Sequence, residues 1–223
     1  MVAEKTRRKI LTVYMEMVAT EGTTDVDLRA LSEQCGVKLS TLRGSYRNRL
    51  SLIEDFTAMV DQIVLDGLDE FDAEETAKDR LFDILMARLD ALAPYREAVA
   101  QISKEASGDP SLALSLNNKA LTSMRWMLSA AGIEASGLKG GIKLQGLVVA
   151  YSRILRVWLD DKDAGLAKTM AALDRELNRG EGALRRLDQV ERFASRVGSA
   201  LERAQKWRRH STGPSGSETA SPQ

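Results

Sequence analysis

Two apolar patterns of helical spacing, Leu28-Leu31-Cys35 and Leu39-Leu42, lie on either side of Gly36-Val37, and each spans barely two turns. Helices that short are marginal by themselves, so larger elements must hold them. The sequence supplies these on both sides. Upstream, Ile10, Leu11, Tyr14, Met17 and Val18 recur at three- and four-residue spacing, and Gly22 follows where a helix C-cap sits. Thr23-Thr24-Asp25 offers N-capping chemistry for the second helix, and the third is expected to begin at Lys38. Downstream, Asn48 is placed to cap a long fourth helix carrying Leu52, Ile53, Phe56, Met59, Val60, Ile63 and Leu68. Two short helices about a glycine turn, between long ones, are the layout of a helix-turn-helix unit.

The rest of the chain is also helical in pattern. The acidic stretch Asp69–Asp79 reads as a boundary, after which Leu81, Phe82, Leu85, Met86 and Leu89 resume helical spacing. Pro94 is placed to start a helix, and Gly108-Asp109-Pro110 marks a break. Long helices then carry Leu121, Met124, Trp126 and Leu128, and after a turn Leu144, Leu147, Val148, Tyr151, Leu155 and Trp158. Asp160–Asp163 is a turn, and Leu166–Leu177 one more helix. Gly137, Gly141 and Gly146 read as a loose helix start and close helix contact. No stretch shows strand alternation; 5% aromatics and four prolines in 223 residues agree with an all-α fold.

Several chemistries are excluded. One cysteine, Cys35, permits no disulfide framework and no multi-cysteine zinc site, and fits a reducing cytoplasm. One histidine, His210 beside the tail, removes a Ser-His-Asp triad and any multi-His metal site. The chain has no phosphate loop, and the spacing around Asp160–Gly165 does not match a calcium loop. No catalytic residue, metal or cofactor is expected, and no apolar run approaches the roughly 20 residues that span a bilayer. Charge is informative in its distribution alone, because Lys+Arg and Asp+Glu both total 32. Lys5, Arg7, Arg8 and Lys9 make the start basic; Lys38, Arg43, Arg47 and Arg49 follow with no acid between them. Residues 61–110 carry a net charge of −8 and residues 179–210 one of +5. Such segregation points different faces at different partners.

The basic cluster falls where a recognition helix would present it. Lys38, Ser40, Thr41 and Arg43 are hydrophilic positions able to reach base edges or phosphates in a major groove about 12 Å wide. Ser40 and Thr41 also lie in the first turn of that helix, where backbone N–H groups attract anions. Arg47 and Arg49 lie just past its end, whereas Leu39 and Leu42 are expected to pack inward. Lys5, Arg7, Arg8 and Lys9 form an arm suited to the DNA backbone or the minor groove.

The stretch DLRALSEQCGVKLSTLRGSYRNRLSLIEDF resembles the DNA-binding signature of the TetR family of bacterial regulators. Leu31, the Cys35-Gly36-Val37 turn, Thr41-Leu42, Tyr46 and Arg49-Leu50 match it in order and spacing. Arg43 stands where the family carries a phosphate-contacting Tyr, and Gly44 costs helix stability of about 1 kcal/mol relative to Ala. The resemblance implies a three-helix helix-turn-helix DNA-binding domain over 1–50 and a helical-bundle ligand and dimerisation domain over 51–180. A basic amphipathic helix over 181–209 and a disordered tail over 210–223 complete the division. It implies a ligand-responsive repressor, not an enzyme, binding a palindromic operator on double-stranded DNA as a homodimer through residues 138–160 and 164–178. Its DNA-facing set would be Lys38, Ser40, Thr41, Arg43, Ser45, Tyr46, Arg47 and Arg49. Met124, Met127, Tyr151 and Trp158, with Trp126 nearby, are either plain core or the lining of a pocket for a small apolar or amphipathic ligand.

The region LQGLVVAYSRILRVWLDDKDAGLAKTMAALDREL is also similar to the C-terminal part of lipid-binding accessory proteins of ubiquinone biosynthesis, which share the TetR fold. That likeness implies an apolar lipid pocket and a terminal helix touching a membrane surface. Over Gly182–Arg209, Leu187, Val190, Ala194, Val197, Leu201 and Ala204 form a heptad-like seam opposite an arginine face. It serves either as a strut on the body or as a membrane-surface helix; its two alanines make the apolar face shallow. The cationic cluster at 38–49 favours the regulator over the lipid carrier.

Overall fold

The first helix, α1 (Glu4–Glu21), presents Ile10, Leu11, Tyr14, Met15, Met17 and Val18 to the core and ends at Gly22, whose φ of 90° a side chain would resist. These features belong to a computed structural model that describes residues 3–186 except 70 and 73. Helix α2 (Leu28–Cys35) is capped by Asp27, which accepts from the Arg29 N–H at 2.8 Å. The Thr23-Thr24-Asp25 segment forms the preceding turn instead, because Thr23 is held elsewhere: its N–H and hydroxyl both go to the Glu105 carboxylate. Gly36 stops α2 in the left-handed region, with φ 70°. Helix α3 (Leu39–Ser45) follows with Lys38 as its N-cap rather than its first residue, and α4 (Arg49–Asp66) starts on a capping box of Asn48 and Ser51.

Helix α3 has seven residues and one of them buried, Leu42, at 2% exposure. Burying a leucine contributes about 1.5–3 kcal/mol, so tertiary anchoring offsets what so short a helix lacks in intrinsic stability. Leu39 was expected beside Leu42 in the core but is 47% exposed. A helix that touches the body along one narrow line buries one leucine, and Leu39 sits at its free first turn.

Helix α5 (Ala77–Leu92) is capped by Thr76, and a 3-10 turn over Ala93–Tyr95 leads into α6 (Arg96–Gly108). Asp109 caps α7 (Pro110–Ala130) with Pro110 in its first turn. Helix α8 (Gly137–Asp160) comes next, then helical residues 167–180. In α8 the glycine that the packing demands is Gly140, where a Cβ would collide with the backbone of Ala135. Gly141 and Gly146, expected to mark close helix contact, face open space.

The chain divides into two units, 1–180 and 181–223. In the first, α1 packs on α2, α4 and α6, and α7 packs on α4, α5, α6 and α8. Its core runs from Ile10, Tyr14, Leu31 and Phe56 through Leu85 and Leu89 to Met124, Met127, Ile154 and Trp158. The acidic stretch read as a boundary connects α4 to α5 within this unit, and the two helices pack together. Of the second unit, residues 181–186 are described and are helical. The seam from Leu187 to Ala204, the basic end at Arg209 and the tail from 210 lie outside the described residues. No helix among the described residues is long and apolar enough to cross a membrane.

Candidate nucleic-acid interface

Helix α3 owes its pose to a hub at Asp55. From α4, this carboxylate receives Arg7 of α1 through two bonds, Nε at 2.9 Å and Nη2 at 2.5 Å, and the Tyr46 hydroxyl at 2.8 Å. Burial works to raise the Asp55 pKa, but the hydrogen bonds from Arg7 and Tyr46 and the charge of Arg7 outweigh it and hold it below the ordinary value. The hydrogen bond to Asp55 pushes the Arg7 pKa up, burial opposing. Lys9 donates to the Cys35 carbonyl at 3.1 Å, satisfying the end of α2, and Arg49 grips the Val26 carbonyl with two N–H groups, Nε at 3.1 Å and Nη2 at 2.8 Å.

Those bonds sort the expected DNA-facing residues. Lys38, Ser40, Thr41, Arg43, Ser45 and Arg47 are exposed. Tyr46 is buried with its hydroxyl on Asp55, and Arg49 is half-buried on a backbone carbonyl. Tyr46 ties the end of α3 to α4, and Arg49 ties the start of α4 to the segment ahead of α2. In the basic arm Arg7 is half-buried on Asp55, Lys9 is exposed with its Nζ on the Cys35 carbonyl, and Lys5 and Arg8 are exposed. Lys5, Arg8, Lys38, Arg43 and Arg47 have no ion-pair partner among the described residues. The Thr41 N–H, expected to be open to an anion, bonds to the Lys38 carbonyl at 2.9 Å. Asp55, the centre of the arrangement, carries no signal in the sequence, since an isolated aspartate on a helix looks like any solvated charge.

The residues read as either core or pocket lining are placed in the core cluster. Met124, Met127, Tyr151 and Trp158 are all buried, and of them only Trp158 borders a groove, one it shares with Arg96 and Asp161, among the grooves at α4–α7 and at the end of α8. Tyr151 belongs to a buried polar chain in which Arg88 of α5 donates to the Tyr151 hydroxyl at 3.2 Å and the Ser123 hydroxyl at 2.9 Å, and lies 3.2 Å from Asp61. Burial works to lower the Arg88 pKa, but Tyr151 and Asp61 prevail and raise it. Arg88 also lies 5.2 Å over the Tyr151 ring, and its Nε has no hydrogen-bond partner among the described residues. Trp158 is covered by Arg96 at 4.7 Å, which also caps α8 through the carbonyls of Trp158 and Asp161. Trp126 differs from the rest of the set, standing 57% exposed on the outer face of α7.

No family model and no curated protein sequence matches this chain. Solved structures do. A TetR transcriptional regulator from Nitrosomonas europaea ATCC 19718 superimposes with a TM-score of 0.62 at 20% identity, over 78% of this chain and 97% of that one. Salmonella enterica GusR gives 0.55 at 18% identity, over 83% and 98%. A TetR regulator from Rhodococcus sp. RHA1 gives 0.54 at 17% identity, over 80% and 97%. With the all-helical architecture and the α2–Gly36–α3 unit at the amino end, the chain has the fold of the TetR-family transcriptional regulators.

Proposed function

We propose that this protein is a DNA-binding transcriptional regulator, working as a ligand-responsive repressor and as a homodimer. The observation that carries the reading is the cationic surface of the recognition unit. Lys38, Arg43 and Arg47 on and beside α3, with Lys5 and Arg8 on α1, are exposed and unpaired among the described residues. Of the neighbouring cations, Arg7 and Arg49 are half-buried on Asp55 and the Val26 carbonyl, and the exposed Lys9 reaches the Cys35 carbonyl. A surface that keeps free cations together bears the self-repulsion for the sake of an anionic partner. Exposed Leu39, Ser40, Thr41 and Ser45 supply the apolar and polar contacts to base edges.

Dimerisation is supported by α8. Leu138, Ile142 and Val149 recur along one stripe of that helix and are exposed, Leu138 at 84%. Met170 is exposed on the helical run after it. The partner face expected over 138–178 is narrower than the sequence implied, because Leu147, Tyr151 and Leu173 are buried within the same chain.

Selection of genomic fragments by the purified protein, followed by fluorescence anisotropy at several salt concentrations, tests this reading. The expected result is enrichment of a palindromic site and an affinity that falls steeply with salt, by about 0.9 in log–log slope per phosphate neutralised. Equal retention of all fragments at low salt refutes it.

A further inference from the structure

Between α4 and α7 runs a groove of about 340 Å³, within the range of roughly 300–1,000 Å³ seen for small-molecule sites. Its floor includes Asp61, a buried carboxylate served on one side only. Oδ1 accepts the Ser123 hydroxyl at 2.7 Å and faces the Arg88 guanidinium at 3.2 Å. Oδ2 accepts no hydrogen bond from any described residue, and Asp61 lines the groove. That oxygen is not sealed from solvent, since the Asp61 side chain is 11% exposed and lines the groove, so a ligand N–H can take the place of water on it and gains the strength of a bond to a carboxylate. Arg88 lies behind the carboxylate and does not line the groove.

The walls fit the remainder of a ligand. Trp126 stands three residues along α7 from Ser123, hence on the same face, with its indole 57% exposed. Ala58 and Leu65 line the groove from α4. At the rim Lys119 is committed to Glu54 at 2.6 Å, so its charge is not free for an anion. A charged N–H donor at Asp61 and a flat apolar body against Trp126 together describe one chemical class. We infer that the α4–α7 groove is a binding site for small aryl-alkyl amines in their ammonium form.

The test uses isothermal titration of the full chain with 2-phenylethylamine hydrochloride, and with 3-phenylpropionate as a probe of opposite charge. Saturable binding of the amine, one per chain, with none of the acid, is expected. Asp61→Asn should weaken the amine by roughly tenfold or more. Because that change also disturbs the Arg88 contact, two substitutions at exposed positions carry the decision. Trp126→Ala should weaken binding by roughly three- to tenfold, and Ala58→Trp should fill the groove and abolish it, both with unchanged thermal melts. Absence of saturable binding by the amine overturns the inference. So does equal binding of the acid, or amine binding indifferent to Trp126→Ala and Ala58→Trp. The assay contains no DNA, so its failure is separate from failure of the regulator reading.

Discussion

Replacing Asp55 by Asn keeps the shape of the hub and removes its charge, which isolates what that charge does for α3. In the folded protein Arg7 and Asp55 share two close contacts while their side chains stay 30% and 27% exposed. Breaking a fully buried pair costs about 3–5 kcal/mol, and an exposed pair about 0–1 kcal/mol. Partial exposure and bidentate geometry place this one between, near 1.5 kcal/mol. Weakening the Tyr46 bond adds about 0.5–1 kcal/mol, so Asp55→Asn should lose about 2 kcal/mol in urea unfolding at neutral pH. Tyr46→Phe alone should lose about 1 kcal/mol, and the double variant less than the sum, since both substitutions break one shared bond. The Asp55 pKa is lower folded than its ordinary 3.8, so this stabilisation is present above that pH and disappears as pH falls through the folded value. Wild type and Asp55→Asn should therefore converge in acid. A loss below about 0.5 kcal/mol, or strict additivity with Tyr46→Phe, would sink the claim that Asp55 organises the recognition unit.

On DNA, Arg43→Ala should cost about 1–3 kcal/mol of specific affinity if it reads a guanine, and Lys38→Ala should lower the salt slope by about 1; anisotropy titrations on the selected site measure both. Ile142→Glu on the open face of α8 should give monomers by sedimentation velocity, whereas Leu173→Glu, at a fully buried position, should unfold the chain before it reports on assembly. Arg88→Met should destabilise by about 3–5 kcal/mol by stranding Asp61, and Arg88→Met with Asp61→Leu should recover most of the loss in thermal melts.

The order of elements was legible in the sequence because it rests on local physics. Helical spacing of apolar residues, Gly36 as a left-handed stop, Asn48 as a cap and Pro110 after Asp109 each act within a turn or two of the residue concerned. The exposed half of the candidate interface, Lys38, Ser40, Thr41, Arg43, Ser45 and Arg47, was legible for the same reason: polar residues on and beside a short amphipathic helix have one side to go to. Long-range partners were not legible. Arg7, Lys9 and Arg49 are the same residue types as their free neighbours, and Tyr46 sits among polar residues that stay exposed. What engaged them was Asp55, Cys35 and Val26, at sequence separations of 48, 26, 9 and 23 residues, and it left Lys9 alone of the four exposed. Leu39 and Leu42 were indistinguishable by spacing, and only the narrow line of contact between α3 and the body buried one and left the other out. Met124 and Trp126 shared one helix and one expectation, yet the position of α4 against α7 put the first in the core and the second on the wall of a groove. Which residues form helices and where those helices stop follows from preferences that act within a turn or two. Which charges are engaged and which stay free follows from the packing of the helices, because a charge is satisfied by whatever the fold brings within about 3 Å of it.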